Sequence, residues 1–342
     1  MRRLPEADAM APPGAPVRRS DPPLAPAKFR DPATTATGVP RARVRLEALT
    51  TLWFNTGTLC NITCAHCYIE SSPRNDRLSY LEAAEVAAFL DEIERERLPV
   101  KKIGFTGGEP FMNPEFIAML EHALGRGYRV LVLTNAMRPM MRRQQPLRAL
   151  RCRHGERLSI RVSLDHYTKA GHETERDGGS WERTLEGLLW LVREGFRVEV
   201  AGRTAWRESE ASLRAGYARL FHSLDLPIDA HAPRSLVLFP EMDERADVPE
   251  ITEACWSILG VEPHSLMCAS ARMVIKRKGA ARPAVVACTL IPYDPAFELG
   301  ATLREAHRSI ALNHPHCARF CVLGGGHCSG VGAAGQERAG PR

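Results

Sequence analysis

The sequence predicts an α/β protein assembled from parallel strand–helix units, and three observations carry that prediction. Apolar strand-like runs alternate with amphipathic helix-like runs from residue 51 to residue 240. The strand-like runs are continuous in Val, Ile and Leu, as strands buried on both faces are, rather than alternating apolar and polar. The repeat of about 30 residues is that of a β/α crossover unit. Six such units fit an open sheet or an incomplete (β/α) barrel, and the pattern alone does not choose between them. In either arrangement ligands gather at the carboxyl ends of the strands.

The elements follow in order. TLWFNTGT (51–58) reads as the first strand, and LSYLEAAEVAAFLDEIERE (78–96) as an amphipathic helix with Ser79 as its N-cap. KKIGFTG (101–107) is the second strand, and NPEFIAMLEHALGRG (113–127) a helix with Pro114 in its first turn and a glycine near its end. RVLVLTN (129–135) is the third strand, with a helix around 138–150. LSIRVSLD (158–165) is the fourth, followed by the helix SWERTLEGLLWLVREG (180–195). RVEVAGRTA (197–205) is the fifth, followed by a helix over 208–223, and RSLVLFP (234–240) is the sixth. After residue 245 the alternation stops; a helix is expected at 248–260, then a cysteine-bearing region to residue 330.

Composition narrows the classes. The 342 residues are 44% hydrophobic and 25% charged, enough for a large core. The formal charge is +6, but residues 1–45 hold nine Lys/Arg against four Asp/Glu, which leaves the remainder near +1. A basic nucleic-acid-binding face therefore has little support. Residues 1–45 are rich in Pro, Ala and Arg without periodicity and read as a disordered tail. No apolar run reaches the ~18 residues of a membrane span, and the N-terminal arginines precede no apolar signal core. A cytoplasmic protein is expected, without nucleic-acid or membrane partners. In that compartment ten cysteines point to metal or redox chemistry rather than to a disulfide framework.

The cysteines are clustered. LCNITCAHCYIE (59–70) places Cys60, Cys64 and Cys67 within eight positions, directly after the first strand. A zinc site would need a fourth ligand, His66 or a distant thiolate, and zinc favours paired C-x2–4-C knuckles. Three thiolates suit a [4Fe–4S] cluster better, with the fourth iron left to a ligand from outside the protein. The C-x3-C-x-aromatic-C loop after a first strand resembles the signature of the radical S-adenosylmethionine (radical SAM) enzymes. The resemblance implies that S-adenosylmethionine (SAM) chelates the open iron and that His66 lies near its adenine. It also favours an incomplete (β/α)6 TIM-like barrel over the open sheet.

Further strand ends match the same family. FTGGEP (105–110) follows the second strand; Gly107 and Gly108 let a ligand approach the backbone, and Glu109 can face a cation. It resembles the family's GGEP element, which binds the methionine amino group. TNAM (134–137) keeps Asn135 where the family often has Thr-Asn-Gly, with Ala136 in place of the glycine. SLDHY (163–167) supplies Ser163 and Asp165, resembling the SLD element near the SAM ribose and carboxylate. HETERDGGSWERTLEGL (172–188) resembles the following segment, where Arg176 contacts SAM; Arg203 after the fifth strand is a weaker match.

Cys255, Cys268, Cys288, Cys317, Cys321 and Cys328 lie in the C-terminal region. Cys268 and Cys288 flank VIKRKGAARPAVVA, which reads as a hairpin turning at Gly279. Cys317, Cys321 and Cys328 follow in HPHCARFCVLGGGHC, where the glycines and His327 suit a loop wrapped around a cluster. The region resembles the SPASM or twitch auxiliary-cluster extensions of radical SAM enzymes, although the Cys-Gly-Cys hairpin is wider and no C-x2-D-C follows. The expectation is one further [4Fe–4S] cluster on Cys268, Cys288 and two of Cys317, Cys321 and Cys328, with a zinc site or plain buried thiols as the alternative. Cys152 stands alone in an Arg/His-rich loop and reads as incidental.

The organisation expected is therefore a tail at 1–45, a radical SAM core at 46–245, a Cys-rich auxiliary region at 246–330 and a flexible end at 331–342. The resemblance implies reductive cleavage of SAM to a 5′-deoxyadenosyl radical that abstracts hydrogen, in an oxidative modification of a peptide, a protein or a peptide-derived natural product. A flavodoxin- or ferredoxin-type reducing partner is implied with it. The alternatives are a small-molecule or tetrapyrrole substrate and, from another class, a non-catalytic zinc or iron–sulfur electron-transfer protein.

Overall fold

The computed structural model describes residues 22–206, 208–240 and 243–326. Residues 1–21, His327, Cys328 and the expected end at 331–342 lie outside the described residues.

After a short strand β1 (Arg43–Val44), each apolar run becomes a strand followed by helix. These are β2 (Thr51–Asn55) and α1 (Ala83–Arg95), β3 (Lys102–Thr106) and α2 (Phe116–Gly125), then β4 (Arg129–Thr134) with α3 (Arg138–Met141) and α4 (Gln144–His154). Next come β5 (Leu158–Ser163) with α5 (Lys169–Glu175) and α6 (Ser180–Arg193), β6 (Arg197–Arg203) with α7 (Glu210–Ser223), and β7 (Leu236–Phe239). The C-terminal region adds α8 (Ala254–Leu259), β8 (Ala271–Ile275), β9 (Ala284–Val286), β10 (Glu298–Gly300), β11 (Ile310–Ala311) and a π-helical turn, Cys317–Leu323.

Among the described residues the main sheet has nine strands in the order β10-β9-β8-β2-β3-β4-β5-β6-β7. Strands β2 to β7 run parallel in sequence order, so their carboxyl ends share one rim. β7 and β10 remain as edges, and the parallel array is an incomplete barrel rather than a closed one. β8 pairs parallel to β2, from Thr51↔Ala271 to Phe54↔Val274, and β9 returns antiparallel as the expected hairpin, with Gly279 at φ +78° in its turn. Every residue of β2 and of β8 is buried, the charged Arg272 of β8 included. Trp53 sits opposite Gly104 across β2 and β3; a Cβ on Gly104 would lie 2.3 Å from the indole.

Four expectations change. Residues 22–45, read as part of a disordered tail, follow a defined course: Pro23 bridges to Ala246, Arg41 to Thr252, and β1 pairs with β11. Composition missed this because the holding partners are distant in sequence. The Arg41 side chain is fully buried and pairs with Glu250 at 2.6 Å, and Lys28 reaches Asp247 at 2.7 Å. The helix expected over 248–260 is reduced to α8, since residues 246–252 are drawn out to meet that strap. α1 is capped not by Ser79 but by Glu82, in a capping box with Glu85. Ser79 instead donates its amide to Lys276 O at 2.7 Å, next to a Leu78–Arg277 bridge. The helix expected around 138–150 is two helices, α3 and α4, and α5 was not anticipated. Among the described residues no helix is long and apolar enough to cross a membrane.

Removing the carboxylate that neutralises Arg41 leaves an uncompensated buried charge, which typically costs about 3–5 kcal/mol. Glu250→Ala is therefore expected to release the strap, seen as rapid limited proteolysis between residues 28 and 45 while the barrel core stays resistant. A variant as protease-resistant as the wild type would contradict this account.

Candidate active site

The cysteine loop leaves the carboxyl end of β2 and is pressed against the turn after β3. Gly108 donates its amide to Gly57 O at 2.8 Å, and Glu109 to Leu59 O at 3.1 Å. A Cβ on Gly108 would fall 2.1 Å from Leu59 O, and one on Gly107, whose φ is +152°, would fall 2.6 Å from Gly57 O. The close backbone approach that requires these glycines is thus made by the protein's own cysteine loop. Cys60 is buried and Cys64 and Cys67 half-buried, and all three line one cavity at the strand ends. Burial pushes Cys60 up to about 12 and also raises Cys64, where Arg176 opposes the shift. Such thiols stay protonated at neutral pH until a metal displaces the proton.

The same cavity is lined by Gly107, Gly108, Asn135, Ser163, Asp165, Arg176 and Arg203, so most of the residues singled out in sequence meet there. Asn135 donates its side-chain amide to Asn61 Oδ1 at 2.9 Å, which fixes it beside Cys60. Ala136 takes φ +58°, so the backbone keeps the left-handed form that glycine has no difficulty with, despite the side chain. Asp165 is buried between two guanidinia, with Arg176 Nε at 2.5 Å and Arg203 Nε at 3.3 Å. Burial alone would raise its pKa, but the two arginines outweigh it and hold the carboxyl well below the usual range. Two arginines against one aspartate leave this wall net positive, a complement for a carboxylate ligand. Arg203 also lies 4.8 Å above the ring of Tyr68.

Two expected contacts fall elsewhere. Glu109 is buried behind the cavity wall. It accepts from Thr134 Oγ1 at 2.8 Å, Asn135 N at 2.9 Å and Phe111 N at 3.3 Å, and burial raises it to about 7. His66 turns away from the cavity: its Nδ1 lies 2.6 Å from Glu175 Oε2, and it lines a separate polar cleft with Tyr293 and His314.

Sequence reasoning quoted but did not single out His172 and Glu175, both on α5. His172 is fully buried and its Nδ1 accepts the amide of Asp165 at 3.2 Å, while its Nε2 has no hydrogen-bond partner among the described residues. Burial, reinforced by Arg176, lowers His172 to about 3. Glu175 accepts Ala65 N at 2.9 Å through its carbonyl and meets His66 through its carboxylate. The signal for α5 was Thr168, a helix N-cap whose hydroxyl accepts from Gly171 N, but the helix is short and polar.

A second, smaller cavity is lined by Cys268, Cys288, Cys317 and Cys321, with Cys317 and Cys321 on the π-helical turn. Leu290 lines both cavities, and Thr289 lines the first. Burial raises Cys268 to about 11 and Cys317 well above its ordinary value. Cys255 is not part of this set and takes Thr252 N at 3.4 Å, and Cys152 is exposed on α4. Among the described residues no three His, Cys, Asp or Glu side chains come close enough to share one metal ion. Two thiolates on one zinc would lie only about 3.8 Å apart, given Zn–S bonds of about 2.3 Å. A polynuclear cluster distributes its thiolates over separate irons, and the donor chemistry of both sets fits that.

Comparison with known proteins agrees with this geometry. Residues 54–206 match the family model of the radical SAM superfamily. The chain is 28% identical over 137 residues to the mycofactocin maturase MftC of Mycobacterium ulcerans (strain Agy99), covering 40% of this chain and 35% of that protein. It is 29% identical over 143 residues to the antilisterial bacteriocin subtilosin biosynthesis protein AlbA of Bacillus subtilis (strain 168), covering 42% and 30%. The aligned part thus spans about a third of the length of these curated relatives. Streptococcus suis SuiB bound to S-adenosylmethionine superposes with a TM-score of 0.55 at 9% identity, over 75% of this chain and 64% of that one. SuiB bound to precursor peptide SuiA gives 0.54 at 10%, over 75% and 63%. At such identity the structural likeness is one of fold. The three thiols at the carboxyl end of the first barrel strand fall inside the segment, residues 54–206, that matches the radical SAM superfamily model.

Proposed function

We propose that this chain is a radical SAM enzyme that modifies a peptide oxidatively and carries a second iron–sulfur cluster. The radical SAM match over residues 54–206 implies a [4Fe–4S] cluster and SAM. The observation that carries the reading is the convergence of Cys60, Cys64 and Cys67, with no further thiol or imidazole among the described lining residues, on a cavity walled by Asn135, Ser163, Asp165 and Arg176. Three thiolates would hold the cluster, and the strand-end residues would hold SAM. When bound, the pair supplies one-electron cleavage of the sulfonium and a 5′-deoxyadenosyl radical able to take hydrogen from a substrate.

The chain's own part is to bind, orient and exclude water. The net positive wall of Arg176, Arg203 and Asp165 suits the SAM carboxylate, and Asn135 is held rigid beside Cys60. Trp53, Leu133, Phe239 and Leu290 give the cavity apolar surfaces that keep water from a reactive radical. His66 and Glu109, directed elsewhere, are assigned to holding the loop and the strand end rather than to contacting SAM.

Cys268, Cys288, Cys317 and Cys321 would hold the second cluster, which would supply an electron acceptor for a net oxidation. Its place behind the Thr289–Leu290 wall suits that use. The peptide reading is supported by the named roles of MftC and AlbA in mycofactocin and subtilosin production, and by SuiB with its precursor peptide. A flavodoxin- or ferredoxin-type protein would supply the priming electron.

Anaerobically reconstituted protein given dithionite and SAM is expected to form 5′-deoxyadenosine, and Cys60/Cys64/Cys67→Ala to form none; a silent wild type refutes the enzyme reading. Iron analysis of that triple variant is expected to find about four irons, unchanged by Cys328→Ala and lost with Cys317→Ala. A zero count would eliminate the second cluster.

His172 gives the site a pH dependence of definite sign. The unfolded imidazole takes its proton near 6.5 and the folded one near 3, so its stabilising contribution is complete above about 6.5 and is lost as pH falls. Wild type is expected to lose about 1.5 kcal/mol more stability between pH 6.5 and pH 5 than His172→Gln does, read by urea denaturation. Parallel losses in the two proteins would contradict the assignment.

A further inference from the structure

Arg272, the second residue of β8, is 1% exposed, yet no carboxylate among the described residues pairs with it. Its guanidinium is satisfied by carbonyl oxygens alone: Ala306 O at 3.1 Å, Cys268 O at 2.6 Å, Ala271 O at 2.8 Å and Arg308 O at 2.9 Å. The other deeply buried arginines differ. Arg41 meets Glu250, Arg161 meets Glu199 and Arg176 meets Asp165. An unpaired charge in a protein interior costs several kcal/mol, and carbonyl dipoles offset only part of that. The shortest of these bonds is to Cys268, whose side chain lines the second cavity.

We infer that Arg272 is the built-in counter-charge of the second cluster, a positioning residue that holds the cluster in place and raises its reduction potential. The inference rests on the reading that Cys268, Cys288, Cys317 and Cys321 ligate a [4Fe–4S] cluster. Four thiolates and a cluster carry net negative charge, which becomes one unit more negative on reduction. A fixed cation sealed from water favours the reduced form, and salt cannot screen it. The same residue ties the Cys268 carbonyl to the backbone at 306 and 308, so the charge is held at a set place relative to the first ligand.

The test uses full-length Cys60/Cys64/Cys67→Ala protein, in which the second cluster is the sole expected paramagnet, with Arg272→Gln and Arg272→Lys added separately. Redox titration followed by electron paramagnetic resonance is expected to give a more negative midpoint for Arg272→Gln and a near-parental midpoint for Arg272→Lys. Loss of iron from the glutamine variant, with retention in the lysine variant, would also support a required charge. An unchanged midpoint in Arg272→Gln, equal shifts in both variants, or iron loss from both would overturn the inference, the last by making the hydrogen-bonding fork the essential feature. Absence of iron from the parent itself removes the second cluster, and this inference with it, and is distinguishable from every other outcome.

Discussion

Two consecutive residues at the end of α5, Glu175 and Arg176, tie the cysteine loop to the end of β5. Glu175 takes the amide of Ala65 and the imidazole of His66 from inside the cysteine loop, while Arg176 is anchored on Asp165 at the end of β5. The loop between β2 and α1 is long, and its own bridge from Leu59 to Ser72 is joined by these contacts to α5. The clamp joins it to β5, the fourth strand of the β2–β7 array, through the buried Arg176–Asp165 ion pair and the hydrogen bonds of Glu175. Buried pairs of this kind contribute little net stability against an apolar substitute, but they are costly to break singly, and so they impose one geometry.

Arginine charge is compensated differently around the two thiol sets on either side of Leu290. At the strand ends, arginines are matched by Asp165, and the cavity keeps a surplus positive charge near Cys64 and Cys60. At the second cavity the single arginine is balanced only by carbonyl dipoles. Burial raises the thiols of each set.

Much of this was legible in the sequence where local physics decides. The six parallel strands announced themselves as buried apolar runs, and Cys60, Cys64, Cys67, Asn135, Ser163, Asp165 and Arg176 do share one cavity. What was not legible depends on long-range partners. The strap at 22–45 is fixed by Asp247 and Glu250, more than two hundred residues away, so its composition could only suggest disorder. His66 stands in the right loop but points by virtue of Glu175, which belongs to a helix too short and polar to register. The glycines of FTGGEP were rightly seen as permitting close approach, but the approaching group is the backbone at Gly57 and Leu59. Between Cys321 and Cys328 sequence had no basis to choose; Cys317 and Cys321 line one cavity from the π-helical turn, and Cys328 lies outside the described residues.

The pairing of β8 with β2 changes what the C-terminal region is. The boundary near residue 245, so clear in the pattern of the sequence, is not a seam in the hydrogen-bonded sheet: the first barrel strand has neighbours on both sides, and one of them comes from beyond that boundary. A chain ending there would present the ladder edge of β2, five buried residues long, to solvent and to other copies of itself. The cysteine-rich region therefore covers what would otherwise be an edge of the parallel array. A relative that dispensed with the C-terminal thiols would still need something to lie along that edge.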